Sequence, residues 1–180
     1  MDPVIQWLRD NPGWIFLAIA ILPAFAVPSS PLLILAGLVW GATWQACAIA
    51  LTAVAINIIG SHLLAAGPAR RLLTRIVGPR IARFRNLGTA DQVRLVTIVR
   101  FTPGVPLCVQ NYGLGLLGTP LRLSLALAIP TTGFHVCGLV LTGGAIFDGR
   151  LGLLILGLSV LIVATLALHL LRSKIMDRGS

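Results

Sequence analysis

The sequence predicts an all-α polytopic membrane protein with about four spanning helices and two oppositely oriented re-entrant helical hairpins in an inverted repeat. Of its 180 residues, 57% are hydrophobic and 11% are charged, whereas an ordinary soluble domain is about 45–50% apolar and about a quarter charged. No charged residue lies between Asp10 and Arg70, which is enough chain for two crossings of about 20 residues each. Three more uncharged runs follow, at residues 101–121, 123–147 and 151–171.

Basic residues are concentrated, and their positions predict the orientation in the membrane. The net charge is +9, and seven arginines lie between residues 70 and 94. Beside long apolar runs, this excess indicates the cytoplasmic flank of a membrane protein rather than a nucleic-acid surface. We expect a bacterial cytoplasmic (inner) membrane protein with both termini in the cytoplasm. Residues 67–90 would form a basic interfacial loop that also contacts anionic headgroups.

The first half is predicted to be a hairpin followed by a spanning helix. An apolar helix runs from Pro12 to about Leu22, where prolines interrupt it. The next segment, PLLILAGLVWG, carries two glycines that permit a bend or close backbone packing. Residues 42–66 are then long enough to span.

The second half is predicted to contain a re-entrant hairpin. Thr89 and Gln92 fit a capping box, so a helix is expected to begin with Thr89 as its cap. It stops at Pro103 after about 12 residues, or about 18 Å, little more than half of a hydrocarbon core of about 30 Å. The return limb, residues 106–118, is equally short. The segment therefore enters the membrane, turns and returns.

The two halves share a pattern that predicts the inverted repeat. PSSPLLILAGLVWG and PGVPLCVQNYGLGLLG both contain P-x-x-P, apolar residues and paired glycines before a long apolar segment. Each unit is a hairpin plus a spanning helix, at residues 24–66 and 91–147. Because the basic loop separates them, the hairpins are expected to enter from opposite faces. Residues 151–172 would be the last spanning helix, within a single integral membrane domain.

Arg100 lies in the middle of the second hairpin and marks a candidate site. An arginine inside the membrane costs at least about 2.5–3.5 kcal/mol, so by default it indicates function. Its guanidinium binds phosphate in a bidentate way, and the backbone broken at Pro103 and Pro106 is tolerated only around a polar cavity or within protein. Asn111 and Tyr112 favour such a cavity. The alternative is that Arg100 reaches the membrane surface or caps helix carbonyls.

Polar residues on the spanning helices form pairs one turn apart. Asn57 and Ser61 are such a pair, as are Thr131 and His135. For the first three, hydrogen bonding between helices is the favoured interpretation. For His135, proton relay and a structural role are weighted nearly equally. His62 and His169 are assigned no role, and the three isolated cysteines are interpreted as packing residues.

The stretch RFTPGVPLCVQNYGLGLLG resembles the DedA family, also called the VTT or SNARE-associated Golgi family. The match is to the branch with R-x-x-P-x-x-P followed by N-Y-x-x-G, and VPSSPLLILAGLVWG is similar to the first half of the family. The resemblance covers roughly residues 20–150. Together with His135 from the helix pairs, its motif positions make up the candidate substrate-binding set, which is Arg100, Pro103, Pro106, Asn111, Tyr112, Gly115, Pro28, Pro31, Gly37, Gly41 and His135.

The resemblance implies two oppositely directed hairpins and the movement of lipids across a bilayer. Its bacterial members include flippases that recycle polyprenyl phosphate carriers, and its eukaryotic relatives scramble phospholipids. Many bacterial members carry an acidic residue near the first hairpin and a second arginine in the second motif. This chain has no acidic residue there, and Val105 or Pro106 stands in place of that arginine.

We therefore expect a flippase or scramblase for anionic lipid, either polyprenyl phosphate or phospholipid. A transporter for a small soluble anion or metal ion, or a non-transporting assembly factor, are the alternatives. An enzyme is not expected, because the chain has no Glu and every Asp lies outside the long apolar runs. We expect no cofactor, no resident metal and no nucleic-acid partner; membrane lipids are the expected partners, with homo-oligomers possible.

Overall fold

A computed structural model describes residues 3–77, 88–102 and 105–148, together with positions 158, 159, 161, 162 and 165. In these parts the chain is helical and contains no strand, which confirms the all-α prediction. The helices are α1 (Pro3–Asp10), α2 (Gly13–Ile21), a 3₁₀ helix (Leu22–Phe25), α3 (Ser29–Trp40), α4 (Trp44–Ala66), α5 (Arg70–Val77), α6 (Thr89–Phe101), α7 (Leu107–Leu117) and α8 (Leu121–Asp148).

Two helices are long and apolar enough to cross a membrane. They are α4, with 23 residues, and Leu121–Ile146 of α8, with 26 residues. At about 1.5 Å per residue each is longer than a hydrocarbon core of about 30 Å. By length and composition these two candidate spans support a membrane protein. The predicted last span, residues 151–172, lies almost wholly outside the described residues.

Specific residues mark the start of α4 and the two ends of α6, the helix that carries Arg100. The Thr43 hydroxyl accepts a hydrogen bond from the Ala46 amide at 3.1 Å and caps the start of α4. The capping box expected at Thr89 is wrong, because Gly88 is the N-cap of α6 and no side chain caps it. The predicted end of this helix is confirmed: α6 stops at Phe101, just before Pro103.

The basic segment begins with a short amphipathic helix. In α5, Arg71 and Arg75 are exposed, and so are the apolar side chains of Leu72 and Ile76. Such a helix can lie in the interface of a bilayer with its apolar face in the lipid. The remainder of the predicted loop, residues 78–87, lies outside the described part of the chain.

The two halves repeat the same local geometry. Pro28 and Pro106 are the N-caps of the short helices α3 and α7, with similar backbone angles. Nine residues after each proline stands a buried glycine, Gly37 in α3 and Gly115 in α7. In the structure, Pro28 of the first half is therefore equivalent to Pro106 of the second. The shared P-x-x-P pattern alone would make Pro28 equivalent to Pro103. In both halves a glycine with positive φ, Gly41 (83°) and Gly118 (75°), turns the chain towards the long helix.

Each short helix packs on the long helix of the other half. At Gly37 in α3, a Cβ would overlap the Val140 carbonyl oxygen of α8. At Gly115 in α7, a Cβ would overlap the His62 carbonyl oxygen of α4. Small residues permit this backbone-to-backbone approach in membrane helices. The halves are therefore interlocked rather than placed side by side.

Replacing Gly115 tests this packing, and Gly113 provides a control on the same helix. We expect Gly115→Ala to lower the stability by about 1–3 kcal/mol, because α7 must move away from α4 to make room. A Cβ at Gly113 has no neighbour within 4 Å, so Gly113→Ala should leave stability unchanged or raise it by up to about 1 kcal/mol. Thermal unfolding in detergent micelles measures both. Equal unfolding midpoints for the two variants would contradict the close contact.

Candidate functional site

A cavity of about 530 Å³ lies where the proline turns of the two halves meet. Pro28 of the first half and Pro106 of the second line it, together with Arg100 and His135. The cavity thus brings four of the eleven predicted site residues together. Its other lining residues are Pro23, Ala26, Val27, Ser29, Ser30, Thr102, Val105, Leu107, Cys108, Gln110, Thr131, Thr132 and Thr165.

Arg100 is the charged residue of this cavity wall, and it is buried. Only 6% of its surface is exposed. Its Nη2 donates to the Ser124 hydroxyl of α8 at 2.7 Å, and its Nη1 donates to the Gln110 side chain of α7 at 3.4 Å. Its Nε has no hydrogen-bond partner within the described structure. The guanidinium is therefore held from two sides and keeps donor capacity.

No carboxylate described here neutralises Arg100. The sequence contains no acidic residue between Asp10 and Asp91, and none from there to Asp148. Asp91 lies at the other end of α6, with its carboxylate 3.8 Å from Arg94. A buried charge without a counter-charge is costly, and neutral acceptors offset only part of that cost. The cavity is consequently suited to an anion.

Asn111 and Tyr112 do not line the cavity, although they neighbour it in sequence. The Tyr112 hydroxyl donates to the Ala24 carbonyl at 2.9 Å and ties α7 to the 3₁₀ helix of the first half. Asn111 is 0% exposed, and neither polar atom of its amide has a partner in the described structure. Tyr112 thus has a connecting role, while Asn111 is a buried polar group without a structural explanation in its own helix.

The predicted glycines lie at packing contacts and turns rather than at the cavity. Gly37 and Gly115 contact the long helices, and Gly41 forms the turn between α3 and α4. Pro31 is exposed within the first turn of α3 and is not a lining residue. Pro103 lies outside the described residues. These positions shape the hairpins that carry the site.

Hydrogen bonding between helices was expected of Asn57, Ser61 and Thr131, and in the described structure Asn57 makes such a bond while Ser61 and Thr131 bond carbonyls of their own helix. Asn57 donates to the Ala20 carbonyl of α2 at 2.9 Å, and Ser61 donates to the Asn57 carbonyl one turn earlier. Thr131 donates to the Leu127 carbonyl at 2.7 Å, yet it also lines the cavity beside His135. The structural interpretation suffices for Ser61, whereas the side-chain oxygen of Asn57 is buried and has no partner in the described structure. Thr131 both bonds its own helix and lines the cavity.

Sequence reasoning missed the two residues that hold Arg100. Gln110 directly precedes Asn111 in the motif. Two adjacent amide side chains in an apolar run could have indicated that Gln110 also belongs to the site. Ser124 is the lone hydroxyl in the run LRLSLALAIP, but nothing in its spacing relates it to Arg100. Arg100 and Ser124 are 24 residues apart in sequence, so only the packing of α6 on α8 reveals their contact.

No protein-family model, curated protein or solved structure matches the chain. Across the described ranges, no group of three or more His, Cys, Asp or Glu side chains is placed to hold a metal ion. The site consists of a buried guanidinium with hydroxyl and amide groups between two proline turns.

Ser124→Ala tests how Arg100 is held. The change removes the acceptor of its shorter hydrogen bond, and a hydrogen bond to a charged group contributes about 1.5–3 kcal/mol. We expect a loss of that size in the free energy of unfolding. Thr97→Ala on α6 removes a hydroxyl that bonds only its own helix at Val93, so it should change stability by about 0.5 kcal/mol or less. Urea unfolding in micelles compares them, and equal effects would contradict the assigned bond.

Proposed function

We propose that this protein moves anionic lipids, polyprenyl phosphate or phospholipid, across the bacterial cytoplasmic membrane. The observation that carries the proposal is the buried Arg100 guanidinium, which faces a partly open cavity and has no carboxylate partner in the described structure. A phosphate would supply the missing negative charge and accept from several guanidinium donors at once. The motif around Arg100, which resembles the DedA family, supports the same substrate class.

The short helices support a re-entrant arrangement. By their residue counts, α3, α6 and α7 are about 16–20 Å long, too short to cross about 30 Å of hydrocarbon. Pro28 and Pro106 both line the cavity, as expected if two hairpins enter from opposite faces and meet near the membrane centre. The reciprocal packing of α3 on α8 and α7 on α4 fits an inverted repeat. In this proposal the hairpins supply the path and the long helices anchor it.

In the proposed mechanism, the headgroup crosses through the cavity while the tail stays in the lipid. Arg100 binds the phosphate, and the hydroxyls of Thr131, Thr132 and Ser29 replace part of its hydration. Gln110 and Ser124 keep the guanidinium oriented as the headgroup arrives and leaves. A single arginine, rather than a pair, favours binding that is weak enough to release the lipid on the other side.

Lipid translocation by Arg100→Ala and by the matched control Arg94→Ala tests the proposal. Purified proteins are reconstituted in phosphatidylcholine vesicles with traces of fluorescent polyprenyl phosphate, phosphatidylglycerol or phosphatidylcholine. We expect the wild type to move an anionic probe, and Arg100→Ala to slow it about tenfold or more, because a charged hydrogen bond contributes about 1.5–3 kcal/mol. Arg94 is exposed on the same helix, so Arg94→Ala should keep the wild-type rate.

Thermal unfolding of each variant confirms that it is folded before the rates are compared. Vesicles with and without protein that show equal rates for every lipid probe would contradict lipid translocation. Uptake of labelled inorganic phosphate into the same vesicles, without lipid movement, would instead indicate a transporter for a soluble anion. Wild-type rates for a folded Arg100→Ala would remove this arginine from the mechanism.

A further inference from the structure

His62 has one ring nitrogen in use and one buried nitrogen without a partner. Its Nε2 lies 3.1 Å from the carbonyl oxygen of Thr119, at the turn between α7 and α8. A carbonyl oxygen can only accept a hydrogen bond, so Nε2 carries the hydrogen and, in the neutral ring, Nδ1 is an acceptor. His62 is 2% exposed, and its Nδ1 has no hydrogen-bond partner in the described structure. This nitrogen is an open proton-binding atom inside the protein.

The helix that faces His62 carries an unused hydrogen-bond acceptor. Asn111 lies one turn before Gly115, which packs on the His62 carbonyl, so Asn111 belongs to the face of α7 that meets α4. Its amide oxygen is buried and has no partner. That oxygen is an unused hydrogen-bond acceptor on the helix that packs on His62. Asn111 thus adds a polar group to this buried region and no positive charge.

Arg100 links this nitrogen to the anion cavity. The Thr119 carbonyl that binds His62 stands just before α8, and Ser124, which binds Arg100, lies in the first turn of α8, so both residues contact the same end of that helix. Two positive charges in a region without a carboxylate repel each other. An anion on Arg100 removes most of that repulsion. Anion binding and protonation of His62 must then favour each other, because such coupling is reciprocal.

We propose that His62 takes up a proton at Nδ1 when an anionic headgroup binds Arg100 and releases it when the headgroup leaves. The proton comes from water and returns to water on release. This inference rests on the proposed function and adds to it the coupled ion. It supplies proton coupling to a chain whose apolar segments contain no carboxylate.

Other ionisable groups stand on the elements packed against α4, and none has the same position. Tyr112 on α7 is engaged with the Ala24 carbonyl, and His135 on α8 is exposed in the cavity wall. In the described structure α2, α3 and the 3₁₀ helix carry none. The remaining groups are Cys47 on α4 itself, Cys108 on α7, Arg122, Cys137 and the terminal residue Asp148 on α8, and Arg70, Arg71 and Arg75 on α5.

The test measures binding of an anionic probe and the protons taken up with it. Full-length protein in phosphatidylcholine nanodiscs is titrated with dihexanoyl phosphatidylglycerol, a phosphodiester without the second phosphate ionisation of a monoester at a pKa of about 6. Between about pH 8 and about pH 5.5 we expect wild-type affinity to rise about fivefold or more, with proton uptake reported by a pH indicator in weak buffer. In His62→Gln the amide still donates to Thr119, so the probe should bind with equal affinity at both pH values and without proton uptake.

Each outcome separates the two proposals. Arg100→Gln should abolish binding at both pH values, and wild-type protein that binds no probe at either pH would contradict the proposed function itself. Binding that needs Arg100 but shows no pH dependence, or the same pH dependence in His62→Gln, would overturn the role of His62 and leave the function standing. Should His62→Gln not fold, ¹⁵N-histidine spectra of the wild type decide. The His62 signal, assigned by elimination with His135→Gln and His169→Gln, must become more protonated when probe is added at constant pH.

Discussion

The structure depends on close backbone contact between each short helix and the long helix of the other half. Gly37 lies against the Val140 carbonyl and Gly115 against the His62 carbonyl, at distances that leave no room for a side chain. Helices as short as α3 and α7 cannot be stable alone, since most helix stability comes from tertiary packing. Lipid offers no hydrophobic drive for association, so van der Waals contact at small residues must supply it. This contact brings the two proline turns to one cavity.

Interlocking the halves also distributes the site over both of them. Arg100 comes from α6, its acceptors come from α7 and α8, and Pro28 and Ser29 of the first half complete the wall. Arg100 places a cation at this site, and no carboxylate in the described structure pairs with it. Neutral acceptors orient the guanidinium and leave its charge available, which a salt bridge would not do. In the proposed function, the stability that the buried charge costs is recovered when a phosphate binds.

Polar contacts between the halves run beside the glycine contacts. His62 binds the Thr119 backbone, and Tyr112 binds the Ala24 backbone. Each joins a side chain of one half to a carbonyl of the other. A change at Arg100 can therefore reach His62 through a short, packed and polar route, which is the physical basis proposed here for linking proton and anion.

Sequence alone determined the helical class, the extents of the two candidate spans, the proline and glycine boundaries of the short helices and the position of Arg100 within an apolar segment. These are local properties: hydropathy over about 20 residues, the missing amide of proline, and the cost of one buried charge. Only the tertiary structure decided that Pro28 pairs with Pro106, that Ser124 and Gln110 hold Arg100, and that His62 binds Thr119. Such contacts join residues far apart in the chain, and no periodicity encodes them. The sequence assigned His62 no role because a histidine near a helix end is ordinarily solvated, and its burial depends on the approach of α7, which Gly115 makes possible.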